Sequence, residues 1–578
     1  MVKWCLASIG LAIAAPALAG PCQVGRILEL PVTMQALRPV VAASINGRDA
    51  PFILDSGAFY STISPGVAKA LGLPLDNLPP GFQLRGIGGG TQAWATRVRT
   101  FTLAGIDIPN IQFLVGGSDI GQTGLLGQNV LGIADVEYDL PGGAVRLFRP
   151  KGCDRAGMGY WTGGKPSFVA AIEPMGPTQR HTVATVELDG AKLAATFDTG
   201  APLTTISPKA AARAGVKPGD PRLTPAGWSS GLGSRVTRGF TAPFALLKIG
   251  DEELRNVRLH VADLPPEVDM LVGADYFVSH RIYVSNAQHR LYFTYTGGRL
   301  FDSQAHLDAA APVALAGGRS DTAPTDAAGF ANRGAMFQTQ RDLPHAIEDF
   351  TRAIELAPKD ASYPYRRAVT YLQTGRPSLA LQDLSASLAL NPDDTRARLL
   401  RAQVTTRLDR PGAALGDLDR LAAALPRSDM MRLEVGELYA AADAFPQAIG
   451  QFDLWLDNHP GDSHRGGALN GRCWARALSG QDLAKARGDS NAAVKAVPGN
   501  AGYLDSRGLV ALRLGDLDAA IADYDAAIAI NPHMAWTLYG RSLAERRKGR
   551  TDAADKDRAA ALAIDPRIVE RAKRYGVE

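Results

Sequence analysis

From Val40 to Pro150 the apolar residues come in short β-rich runs broken by glycine and proline. Val40-Val41-Ala42-Ala43-Ser44-Ile45 stops at Asn46-Gly47, and Ala144-Val145-Arg146-Leu147-Phe148 follows Pro141-Gly142-Gly143. Such runs predict strands and hairpins rather than helices. From Val183 to Tyr295 the same order returns, opening with Val183-Ala184-Thr185-Val186-Glu187-Leu188 before Asp189-Gly190 and closing with Arg290-Leu291-Tyr292-Phe293. Residues 298–326 have no periodic apolar face and are rich in Ala, Gly, Asp, Ser and Pro, which predicts a flexible linker. Beyond it a longer period sets in. Pro358, Pro392, Pro426 and Pro460 are 34 residues apart, Pro498 follows, and Pro532 and Pro566 are again 34 apart. Small residues recur in phase, Gly334, Ala346 and Ala353 early and Gly508, Ala520 and Ala527 late, where packed helices demand small side chains.

Each β-rich half carries one acidic tripeptide in the same phrase. Phe52-Ile53-Leu54-Asp55-Ser56-Gly57-Ala58 leads to Thr62-Ile63-Ser64-Pro65, and Ala195-Thr196-Phe197-Asp198-Thr199-Gly200-Ala201 leads to Thr205-Ile206-Ser207-Pro208. A glycine-rich hairpin follows, Gly86-Ile87-Gly88-Gly89-Gly90 in the first half and Ser230-Gly231-Leu232-Gly233-Ser234 in the second. Then come Leu125-Leu126-Gly127 and Leu271-Val272-Gly273. In this order the motifs resemble the retroviral-type (retropepsin-like) aspartic proteases, with two lobes in one chain where the family usually dimerises single lobes. The 34-residue period is that of tetratricopeptide (TPR) repeats, and seven of them fit residues 327–568, with the third and fifth matching poorly and a polar tail as cap.

The resemblance implies a multidomain chain: an all-β bilobal aspartic-protease fold followed by an all-α TPR solenoid. The expected divisions are a signal peptide (1–19), lobe 1 (20–155), lobe 2 (156–297), the linker (298–326) and the TPR array with its C-terminal cap (327–578). It implies catalysis by Asp55 and Asp198, supported by Ser56, Gly57, Thr199 and Gly200. Two carboxylates close together cannot both ionise, so they share a proton; one acts as base on a water molecule and the other as acid on the scissile carbonyl. Flap and substrate-binding roles fall to Gly86, Ile87, Gly88 and Gly89, and to Gly231, Leu232 and Gly233, because an opening hairpin must change backbone angles cheaply. Ala58 and Ala201 follow the tripeptides and offer no side-chain hydrogen bond to a carboxylate, which predicts a pH optimum nearer neutrality than that of gastric-type enzymes. Phe59, Tyr60, Pro202 and Leu203 stand where viral enzymes tend to carry acidic substrate-binding residues, and suggest apolar subsites.

Composition and charge narrow the reading. The 578 residues are 46% hydrophobic and 21% charged, as in globular chains, and 62 basic against 58 acidic side chains leave +4, too balanced for a nucleic-acid partner. Lys3, the apolar run Leu6 to Leu18 and Ala17-Leu18-Ala19 before Gly20 match a secretory signal cut after Ala19. No later segment is apolar enough to span a membrane, so export to the periplasm, or secretion, is expected. In an oxidising compartment Cys22 and Cys153 could form a disulfide; three buried thiols, with Cys473, are the alternative. The cysteines and nine histidines lack ligand spacing, so no metal is expected, and the chemistry needs no cofactor. Gly227-Trp228-Ser229-Ser230-Gly231 matches a nucleophile elbow only formally, since no strand-to-helix context surrounds it. The expected partners are a polypeptide substrate and a protein in the TPR groove. Two functions remain: an exported aspartic endopeptidase, or an inactive peptide-binding scaffold using the same cleft.

Overall fold

The computed structural model describes residues 22–301 and 324–578, apart from 36, 118–122, 155, 164–166, 175–180, 231–235, 298–299, 340–341 and 409–410. The proposed signal peptide, most of the linker, and Gly231, Leu232 and Gly233 therefore lie outside the described residues.

The two β-rich halves repeat one arrangement. Strand Phe52–Leu54 runs parallel to Gly124–Leu126, which pairs antiparallel with Thr62–Ile63, itself parallel to Ile106–Gly116. In the second half Ala191–Phe197 runs parallel to Met270–Val272, which pairs antiparallel with Thr205–Ile206, itself parallel to Glu252–Val261. The repeated Thr-Ile-Ser-Pro is thus a strand turning into a helix. Ser64 and Ser207 cap helices Pro65–Ala70 and Pro208–Arg213 by accepting from Val67 N (3.4 Å) and Ala210 N (3.2 Å), and proline occupies the first helical turn, where its missing N–H is harmless.

A further antiparallel sheet joins the halves, in the order Phe168–Ala171, Arg290–Tyr295, His280–Ser285, Asp135–Asp139, Ala144–Lys151, Gln23–Gln35. Its central pairing, Val136 with Val284, belongs to both halves, and one apolar core runs from Leu30 through Phe52 and Tyr138 to Phe197 and Phe293. Cys22 and Cys153 form a disulfide that ties the outermost strand of this sheet at its start. Cys473 is a free, buried thiol.

The C-terminal region is all helical. Among the described residues, seven antiparallel helix pairs run from Ala327–Thr339 to Thr551–Ile564, with a last short helix, Ile568–Arg574. The in-phase small residues sit between helices: Ala346, Ala353, Ala520 and Ala527 are fully buried, and a Cβ on Gly508 would fall 2.8 Å from the Tyr524 ring. The third pair is the irregular one. Pro411–Ala414 forms a 3₁₀ turn and leaves only Leu415–Ala424 for the second helix. The fifth pair, Arg465–Ser479 with Leu483–Ala496, consists of two full helices. The tail is less polar in its packing than in its composition, since Ile568, Ala572 and Val577 are buried.

An ion-pair ladder crosses the repeats. Arg333, Arg367, Arg401, Arg507 and Arg541 each grip the aspartate 16 residues on, namely Asp349, Asp383, Asp417, Asp523 and Asp557, through two nitrogens. In the fifth repeat the stretched spacing gives Arg472 with Asp489, 17 residues on. In the fourth, Val435 and Gln451 hold these places. That fourth pair abuts the first β half. Lys69 Nζ donates to Asn458 Oδ1 (2.6 Å), and a Cβ on Gly66 would lie 2.7 Å from His459 Nε2.

Candidate active site

Asp55 and Asp198 each follow a strand end in a tight glycine turn, and both turns converge between the halves. The two hydroxyls lock the turns to each other. Thr199 Oγ1 accepts from Ser56 N (3.0 Å) and donates to the Leu54 carbonyl (2.7 Å). Ser56 Oγ mirrors it, accepting from Thr199 N (3.0 Å) and donating to the Phe197 carbonyl (2.8 Å). Four buried hydrogen bonds thus close a pseudo-twofold cross-brace using one hydroxyl from each half. The non-identical Ser and Thr serve alike because only the oxygen is used.

The glycines are there for space. A Cβ on Gly57 would fall 2.2 Å from Asp198 Cγ, and one on Gly200 would fall 2.3 Å from Asp55 Cγ. Each carboxyl therefore rests against the opposite turn, and the two are hydrogen-bonded to each other. Asp55 is buried and Asp198 half-buried. Each also accepts backbone N–H groups: Gly57 N to Asp55 Oδ1 (2.9 Å), and Gly200 N (2.8 Å) and Ala201 N (3.1 Å) to Asp198 Oδ1.

Electrostatics set the protonation. Burial raises both carboxyls above the usual range, Asp55 the more strongly because the Asp198 charge adds to it, while the backbone N–H groups pull both partly back. The pair thus titrates as a unit that retains a proton well above the ordinary carboxyl range. That direction agrees with the near-neutral optimum expected from Ala58 and Ala201. Tyr138, on the shared sheet, is buried, and that burial, with the nearby charge of Asp55 and Asp198, keeps its phenol un-ionised against the opposing pull of Ser56.

The surrounding residues give the turns their rigidity, and several lay beyond sequence reasoning. After Leu125-Leu126-Gly127, Gln128 Nε2 donates to the Ser56 carbonyl (2.9 Å), and Asn129 Oδ1 accepts from Ser61 N and Oγ (both 2.8 Å). After Leu271-Val272-Gly273, Asp275 Oδ1 accepts from Thr204 N (2.9 Å) and Oγ1 (2.6 Å). Burial pushes Asp275 up to about 6 against these bonds. Asn129 and Asp275 stand at the same offset from their tripeptides, plus three residues of loop, so the duplication could have disclosed them. Arg38 and His181, beside the pair, were also missed.

Gly86, Ile87, Gly88 and Gly89 form the tip of a hairpin between Gln83–Gly86 and Gly89–Leu103, with Gly86 paired to Gly89 and Gly89 at positive φ. Its base packs through Leu84 and Ala93 on Leu114, with Phe82 alongside. Phe59 and Tyr60 stack edge to face at 4.5 Å, and Tyr60 reaches to 6.5 Å from Phe82, so aromatic surface runs from the first acidic turn to the hairpin base. Tyr60 and Leu203 are solvent-exposed. Residues Thr224–Ser230, which contain most of the elbow-like motif, form a strand paired with Val236–Ile249, with a register shift between Pro225 and Trp228.

Comparison with known families agrees with this geometry. Residues 41–132 match the gag-polyprotein aspartyl protease family and residues 184–276 the aspartyl protease family. Tetratricopeptide repeat families match 333–405, 406–463, 475–535 and 506–567. The chain carries two aspartyl protease domains and a TPR array. Solved structures similar to it are TPR proteins. One from Parabacteroides merdae is 18% identical, covering 43% of this chain and 98% of its own, with a TM-score of 0.36. The Cut9-Hcn1 tetramer of APC/C is 15% identical, covering 43% and 48%, at 0.33. YrrB is 17% identical, covering 39% and 97%, at 0.22. No curated protein matches the chain. Among the described residues, no helix of the aspartyl protease domains or the TPR array is long and apolar enough to cross a membrane.

Proposed function

We propose that this chain is an exported aspartic endopeptidase in which Asp55 and Asp198 activate one water molecule and the TPR array recruits a substrate or partner protein. The observation that carries the reading is the hydrogen-bonded Asp55–Asp198 pair, held by the Ser56 and Thr199 cross-brace. In the singly protonated pair the ionised carboxylate takes a proton from water as its oxygen attacks the scissile carbonyl carbon. The protonated partner gives its proton to the carbonyl oxygen. Collapse of the resulting gem-diol breaks the C–N bond, with a proton delivered to the leaving amine, and the pair ends again with one proton. Phe59, Tyr60 and Leu203 line the approach with apolar surface, which favours substrates with bulky apolar side chains beside the scissile bond. The hairpin tip at Ile87 and Gly88 serves as the flap.

Export, to the periplasm or beyond, rests on the N-terminal sequence pattern, and the Cys22–Cys153 disulfide fits an oxidising compartment. The test is a peptide library incubated with the wild-type chain and with Asp55→Asn. Cleavage by the wild type alone, blocked by a pepstatin-type inhibitor, is the expected result. Binding without cleavage by both forms would favour the inactive peptide-gripping scaffold instead.

A further inference from the structure

Arg38 and His181 each stand 17 residues before an aspartate of the pair, and the two lobes put them in one equivalent place. Val40 pairs with Ile53, and Val183 with Thr196, both antiparallel. Continuing either register by two residues sets Arg38 opposite Asp55 and His181 opposite Asp198. Both side chains are half-buried. His181 also reaches across the pseudo-twofold axis: its imidazole bonds the Gly57 backbone, and its ring meets Phe59 edge-on at 6.3 Å. The carboxylate whose charge acts on Arg38 is Asp55, and the one acting on His181 is Asp198. From the elements around it, His181 therefore faces Asp198, the Gly57 backbone and Phe59.

We propose that Arg38 and His181 are positioning residues that hold the negative charge of the aspartate pair, one as a fixed cation and the other as a cation only while its imidazole is protonated. The inference rests on reading Asp55 and Asp198 as the catalytic pair. An opposite charge this near favours the ionised form of a carboxylate. Arg38 acts at every working pH, whereas His181 adds its charge on the acid side alone; burial makes it demand more acid than an ordinary imidazole. The duplicated lobes have thus become electrostatically unequal through one substitution at matching positions.

The test is the pH profile of kcat/KM on one peptide, using full chains. His181→Asn removes a charge present only in acid, so the acid limb should rise by about one pH unit while the alkaline limb stays. His181→Arg makes the charge permanent, so the acid limb should stay and the alkaline limb should fall. Arg38→Gln should raise both limbs, and Arg38→Lys should restore them. Limbs that coincide in all five proteins would overturn the proposal. A second readout needs no turnover: NMR titration of labelled histidines in the full chain, wild type against Asp198→Asn. Loss of the anion should lower the His181 midpoint, and an unchanged midpoint would overturn the proposal. A shifted midpoint in a chain that cleaves nothing would count against the peptidase reading while leaving the charge coupling of His181 to Asp198 intact.

Discussion

At the scale of residues the account turns on two carboxyls that face each other because nothing larger than hydrogen fits on Gly57 or Gly200. Gly57→Ala would place a methyl 2.2 Å from Asp198 Cγ, so turnover should fall at least about 100-fold while far-UV circular dichroism changes little. The raised pair also affects stability. A carboxyl whose folded value lies above its unfolded one loses stability as pH rises from about 4 towards the folded value, since the unfolded chain gives up its proton first. Asp55→Asn removes that loss, so its melting temperature should exceed the wild type's at pH 7, with the gain shrinking as pH falls towards 4. Asp55 and Asp198 and their Ser, Thr and Gly neighbours were legible because duplication repeated them in context. Arg38, His181 and Tyr138 were not, since each reaches the site through strand pairing that no local pattern records. Asn129 and Asp275 differ in type, which hid a shared role of accepting from Ser61 and Thr204.

At the scale of elements the two repeated patterns were readable for different reasons. Alternating short apolar runs with glycine turns gave the strands, and the 34-residue recurrence gave the helix pairs. What escaped was the sheet between Asp135–Asp139 and His280–Ser285, because partners about 144 residues apart leave no periodic trace. The Arg–Asp ladder escaped too, although its 34-residue recurrence lay in plain view. The aspartates of the ladder are buried against their arginines, except Asp417, which is half-buried. Asp523→Ala should therefore lower unfolding free energy by about 3 kcal/mol in urea titration of the array, because Arg507 loses the partner that compensates its partial burial. The third pair is irregular in its second helix, whereas the fifth takes up its extra residues ahead of and within its first helix, Arg465–Ser479, and by shifting its ion pair by one position.

At the scale of the whole molecule, two lobes share one sheet and one core, so the acidic turns are held by the fold rather than by dimerisation. The disulfide closes a sequence separation of 131 residues around the first lobe; in the chain-entropy model, Cys153→Ser should cost about 4 to 5 kcal/mol, read as the denaturant midpoint of variant against oxidised wild type. The array meets lobe 1 at helix Pro65–Ala70, next to the strand that follows the first acidic turn, so the helical repeats lie beside the half that carries Asp55. The central claim is that Asp55 and Asp198 act as a unit. Its most direct test is the rate of peptide cleavage by Asp55→Asn, Asp198→Asn and the double variant. The account predicts that either single change abolishes cleavage as completely as both together. Wild-type rates in either single variant would contradict it.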